Sequence, residues 1–150
     1  MCSSDLVNNL ANLLRDQGDY AGAEPLYRRA LAGYEKALGP EHSDTLCSVN
    51  NLANLLSDQG DYAGAEPLYR RALAGGEKAL GPEHPDTLGS VNNLANLLSD
   101  QGDYAGAEPL YRRALAGYEK ALGPEHPDTL SSVNNLAILL RDQEIGRAHV

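Results

Sequence analysis

An all-α stack of helix pairs is the fold this sequence predicts, and three observations predict it. A 42-residue unit, residues 49–90, recurs at 7–48 and 91–132 and starts again at Val133. Within each unit two stretches carry apolar residues at three- and four-residue steps, the period of an amphipathic helix. Each stretch closes on a turn signal, Gln-Gly-Asp after the first and Gly-Pro after the second. A period in this range marks modules that bury their apolar faces against their neighbours, so that roughly three are needed for stability. The chain has three and the beginning of a fourth.

The second and third copies differ only at Gly76 against Tyr118 and Gly89 against Ser131. In helix A of the second unit, Leu46, Val49, Leu52, Ala53 and Leu56 form the apolar stripe. In the next copy Pro85 stands near the helix start, where a missing N–H costs little and φ is already helical. Gly60 suits the left-handed position that ends this helix. Asp61 is placed to cap helix B. Helix B then carries Ala65, Leu68, Tyr69, Ala72, Leu73, Gly76 and Leu80 at helical spacing. Pro67, Gly64, Gly75 and Gly76 weaken its intrinsic propensity. The stripe nevertheless stays in phase on both sides of Pro67, which predicts one helix. It stops at Gly81-Pro82, and the short connection makes consecutive helices antiparallel neighbours. The order is therefore a truncated helix A, three helices B alternating with further helices A, and a final helix A.

The two ends break the repeat. Residues 1–6 (MCSSDL) and 144–150 (EIGRAHV) back-translate, with one codon choice each, to strings of which the second contains the reverse complement of the first. That string resembles a sequencing-library adapter, and both tails are expected to derive from it. The expected repeat domains are 7–48, 49–90, 91–132 and a partial fourth at 133–143. Cys2 and His149 are then expected to carry no function, and both natural termini to be missing.

Composition narrows the function classes. A formal charge of −9 opposes a nucleic-acid or anionic-membrane surface, which needs clustered Lys and Arg. No apolar run approaches the ~18 residues of a membrane span. Cys2 and Cys47 make no disulfide framework of the secreted kind. The expectation is a soluble, cytoplasmic protein that binds neither nucleic acid nor membrane.

At this point the residues resemble the tetratricopeptide repeat. Ala53, Tyr62, Ala65, Tyr69, Ala72 and Leu73 follow its pattern of small and aromatic positions, and Leu52, Leu56 and Gly60 also fit. The unit length, with NNLA, AEPLYRRAL and ALGPEHPDT, is similar to the kinesin light chain subclass of these repeats. The aromatic common at the first position of the pattern is here Val49. The resemblance covers Val7 to Gln143 and implies a right-handed α-solenoid of antiparallel helix pairs, three pairs plus a final helix. It also implies a protein or peptide ligand held in a concave groove lined by the polar face of helix A.

On the helical wheel Cys47, Asn50, Asn51, Asn54, Ser57 and Asp58 fall within an arc of roughly 120° opposite the apolar stripe. Stacked copies then give three ladders: Asn8, Asn50, Asn92 and Asn134; Asn9, Asn51, Asn93 and Asn135; Asn12, Asn54 and Asn96. An Asn amide offers donors and an acceptor, which suits the backbone of an extended peptide. Asn also costs about 0.5 kcal/mol against Ala inside a helix. A copied ancestral helix whose Asn bond to one another or to water is the alternative source of the pattern. Arg15, Ser57, Ser99 and Arg141 form the expected rim. Lys is absent from helix A, so a ligand with an acidic carboxyl terminus is disfavoured. One read through its backbone, with apolar or basic side chains, fits better.

His42, His84 and His126 recur in the exit loop with no second His or Cys nearby, a poor metal set, and are expected to cap or pack. Arg70-Arg71 is expected to form a solvated ion-pair face with Glu66 and Glu77. Cys47 occupies the place of Gly89 and Ser131, which argues against catalysis. No nucleophilic triad, phosphate loop or pocketed carboxylate pair is present in the sequence. The predicted function is a non-enzymatic interaction scaffold without cofactor or metal. The repeat arm of a larger regulatory NTPase and a structural spacer are the alternatives. Because the first and last helices lack the polar outer face of a capping element, the chain is expected to self-associate end to end or fray.

Overall fold

A computed structural model describes residues 6–148. The tail positions 1–5, 149 and 150, and with them Cys2 and His149, lie outside the described residues. Seven α-helices and no strands make up the described part: α1 (Leu6–Asp16), α2 (Tyr20–Leu38), α3 (Ser43–Asp58), α4 (Tyr62–Leu80), α5 (Pro85–Asp100), α6 (Tyr104–Leu122) and α7 (Pro127–Ala148). The odd-numbered elements are the A helices and the even-numbered ones the B helices. The chain divides into two compact units, one ending at Ala79 and one beginning at Leu80.

The turn chemistry explains the boundaries. Gly18, Gly60 and Gly102 each have φ of 82°, where a Cβ would be strained, and they end α1, α3 and α5. The next residue turns the chain into helix B. Asp61 Oδ1 accepts from the Gly64 N–H at 2.9 Å, and Asp19 and Asp103 do the same for α2 and α6 at 3.0 Å. A Cβ at Gly106 would stand 2.5 Å from the Asp103 carboxylate, so the cap and the glycine require each other. Each helix B runs unbroken through its proline.

The exit loop uses the recurring histidine. Nδ1 of His42, His84 and His126 accepts from the N–H of Asp44, Asp86 and Asp128, each at 3.1 Å, which caps α3, α5 and α7. Pro85 stands at the first turn of α5. Thr45 and Thr129 donate to the carbonyls of Gly39 and Gly123 at 2.7 and 2.8 Å and close the loop.

In the first unit α2 packs against both α1 and α3, and in the second α6 packs against both α5 and α7. Helix A buries more than its predicted stripe. Besides Val49, Leu52, Ala53 and Leu56, the core takes Thr45, Ser48 and Leu55, with matching positions in α5. By wheel arithmetic this widens the buried arc to roughly 180°. Close approach between α5 and α6 depends on Gly117, where a Cβ would lie 2.6 Å from Leu88.

Two expectations are corrected. Arg70 pairs with Glu66 at 3.0 Å as predicted, but Arg71 reaches back to Glu35 of α2 at 3.2 Å, joining successive helices B. The last helix, expected to end at Gln143, continues to Ala148. The physical reason is that Glu144 stands where the other copies have Gly, so the left-handed stop is gone.

The outer helices expose residues that the inner copies bury. Leu10 and Leu13 of α1 are 48% and 53% exposed, whereas Leu94 and Leu97 of α5 are 1% exposed. On α7 Leu130, Val133 and Leu140 are likewise exposed, while Leu88, Val91 and Leu98 are buried.

Candidate peptide-binding face of helix A

The three asparagine ladders lie at different depths. In the first, Asn8 is buried, Asn50 and Asn92 are half-buried and Asn134 is exposed. The Asn92 amide meets the Tyr118 hydroxyl, while its Oδ1 is buried without a hydrogen-bond partner among the described residues. In the second ladder Asn9 is exposed and Asn51, Asn93 and Asn135 are half-buried.

The third ladder has a structural duty. Asn12, Asn54 and Asn96 accept, through Oδ1, from the hydroxyls of Tyr27, Tyr69 and Tyr111 in the following helix B. Each pair ties a helix A to its own helix B, and the tyrosine rings are buried. Removing one of these Asn would take away the acceptor of a tyrosine hydroxyl whose ring is buried.

The rim is more engaged than expected. Arg15 Nε donates to Asp58 Oδ2 at 2.5 Å, bridging α1 and α3 within the first unit. Burial pulls the Arg15 pKa down, but the hydrogen bond and charge of Asp58 outweigh it, and the Tyr27 hydroxyl adds to the effect. Arg141 leans on its neighbour Asp142 at 3.2 Å. Ser57 and Ser99 are half-buried.

Within the second unit these positions enclose space. Asn96, Ser99 and Asp100 of α5, Tyr111 of α6, and Asn135, Ile138, Leu139 and Asp142 of α7 line a cavity of about 340 Å³. Its electrostatics favour neutral or cationic guests. Burial raises the Asp100 pKa above the ordinary carboxylate value. Burial, with the charge of Asp100, pushes the Tyr111 hydroxyl up to about 12. The cavity brings together Asn96, Ser99 and Asn135 from the predicted face and rim. Sequence reading missed Asp100, Tyr111, Ile138, Leu139 and Asp142. The available signals were Ile138, where the other copies have Asn, and the alternation of Arg15 and Arg141 with Ser57 and Ser99 at one position.

No group of three or more His, Cys, Asp or Glu able to hold a metal ion occurs among the described residues. No described helix is long and apolar enough to cross a membrane.

The family model of the tetratricopeptide repeat matches residues 3–78, 44–120 and 87–148, and the chain belongs to this family. Such repeats generally mediate protein–protein interactions and are typically non-enzymatic. Among solved structures, the nearly identical TPR-like repeats of a Podosopora anserina protein assigned to the kinesin light chains are similar to it. The identity is 30% and the TM-score 0.81, over 89% of this chain and 63% of that one. BtubC (BKLC) from P. vanneervenii is similar at 28% identity and TM-score 0.80, over 91% of this chain and 54% of that one. The N-terminal domain of stress-induced protein-1 from C. elegans, at 18% identity and TM-score 0.60 over 87% of this chain and 91% of that one, shares the fold. The chain thus spans between half and two thirds of the length of the first two proteins. No curated protein matches the sequence.

Proposed function

We propose that the chain is a kinesin light chain-like scaffold that holds a peptide or partner domain on the polar face of its A helices and performs no chemistry. The observation that carries this reading is the cavity of about 340 Å³ in the second unit, where polar groups of two A helices converge beside Tyr111. Concave, partly apolar spaces with a few convergent polar groups are where ligands bind. A structural spacer has no use for eleven helix-destabilising Asn, although the four that meet tyrosine hydroxyls are accounted for by packing.

The test is selection of peptides from a random display library against the whole chain, followed by affinity measurement on Asn135→Ala. Asn135 lines the cavity without a tyrosine to hold. Its replacement is expected to weaken selected peptides roughly tenfold while helix content is unchanged, as for loss of a well-formed hydrogen bond. Failure to select any peptide would favour the spacer.

The exposed apolar faces support a second partner, another copy of the chain. The α1 face with Leu10 and Leu13 and the α7 face with Val133 and Leu140 are the same positions that inner copies cover. Two unlike faces of this kind allow heterologous association between copies. Sedimentation velocity should show a weight-average mass that grows with concentration. A sharp monomer at high concentration contradicts this.

A further inference from the structure

The two units present the same constellation two repeats apart, with one substitution at its centre. In the first, Arg15 lies between Asp58 and the Tyr27 hydroxyl, with Tyr27 in turn held by Asn12. In the second, Asp142, Tyr111 and Asn96 occupy the places of Asp58, Tyr27 and Asn12, and Tyr111 is held by Asn96 in the same way. Ser99 stands where Arg15 does, and the cavity opens there. In the second unit the Asp142 carboxylate takes Arg141 of its own helix, and the space that the Arg15 side chain fills in the first unit is left open beside Ser99.

A second substitution adds to the fit. Ile138 replaces the repeat's Asn and forms an apolar wall beside the buried Leu139. A long aliphatic stem can lie along such a wall while its charged head reaches the carboxylates. Asp142 Oδ1 takes the exposed Arg141, and Asp100 adds a further carboxylate at the margin.

We propose that the cavity of the second unit receives the guanidinium group of an arginine side chain presented by a partner peptide. Asp142 and Asp100 are its ionic partners, the Tyr111 hydroxyl a neutral acceptor, and Ile138 with Leu139 the wall for the stem. The proposal rests on the peptide-binding reading above. Arginine is preferred to lysine because its planar, weakly hydrated head carries several donors that can meet carboxylate and hydroxyl together. Arg15 demonstrates that meeting within the same chain.

The experiment uses a blocked pentapeptide, four alanines around one arginine, with a glutamine version as control, titrated into the isotopically labelled whole chain. The arginine probe is expected to shift the side-chain amide signals of Asn96 and Asn135. The glutamine probe should bind at least roughly tenfold more weakly. Ser99→Arg should fill the cavity from within and abolish probe binding with helix content retained. Asp142→Asn, which adds no bulk, should weaken the probe roughly tenfold. Equal binding of the two probes, or undiminished binding by Ser99→Arg, overturns the proposal. A display-selected peptide that binds wild type and Ser99→Arg alike removes the pocket and leaves the peptide-binding reading standing. No selected peptide together with no shift from the arginine probe removes both.

Discussion

Leu97→Ala is expected to lower the thermal midpoint by roughly 5–15 °C, and Leu13→Ala, at the same position of the first unit, by almost nothing. Leu97 is 1% exposed and Leu13 53% exposed. Truncating a buried leucine costs about 2–5 kcal/mol because the lost transfer energy is compounded by the cavity left behind. For a chain of this size each kcal/mol moves the midpoint by about 2–4 °C. Repeat arrays are stabilised by nearest-neighbour interfaces, so the same side chain has a different worth according to what stacks on it. Thermal denaturation followed by circular dichroism checks the pair. Equal losses for the two variants would mean that the exposed α1 face is covered in solution, or that Leu97 is not packed as described.

Alkaline pH should unfold the chain between about pH 10 and pH 12. Tyr111 is buried beside Asp100, which raises its pKa from the ordinary 10 to about 12. Burial raises Tyr27 and Tyr118 in the same direction, with Arg15 opposing the shift at Tyr27. Between the two values the folded chain keeps protons that the unfolded chain has released. Stability is therefore complete below about pH 10 and lost as pH rises through the folded value. Ionisation of Tyr27 or Tyr111 would also remove the proton that its hydroxyl donates to Asn12 or Asn96. Helix content measured against pH, alongside tyrosinate absorbance, tests this. Tyrosines that all titrate near pH 10 without loss of helix would contradict it.

Most of the fold was legible because its determinants are local. The period, the Gly60-Asp61 turn, the Pro85 start and the aspartate caps each act within a few residues, and the helices fall where they predict. The one misplaced boundary follows the same logic, since Glu144 removes the glycine that would have ended α7. The depth of burial around helix A was less legible. Leu55 and Ser48 lie at the edge of the apolar stripe, and only packing from a second side decides that they are core.

The bonds of the candidate site were not legible in the sequence. Asn96 reads as a polar groove residue until Tyr111, fifteen positions on, is seen to donate to it. Arg15 reads as a rim cation until Asp58, forty-three positions away, neutralises it. These contacts join helices through the stacking of repeats, which a single helical wheel does not contain. The vacancy at Ser99 becomes meaningful only once the Arg15 pair is known.

The measurement that tests the central claim most directly is nuclear magnetic resonance mapping of a display-selected peptide bound to the whole chain. The scaffold reading predicts that the perturbed signals cluster on the polar face of the A helices, at Asn93, Asn96, Ser99 and Asn135. Perturbations confined to the outer positions of helix B, such as Glu108 and Arg112, would contradict it.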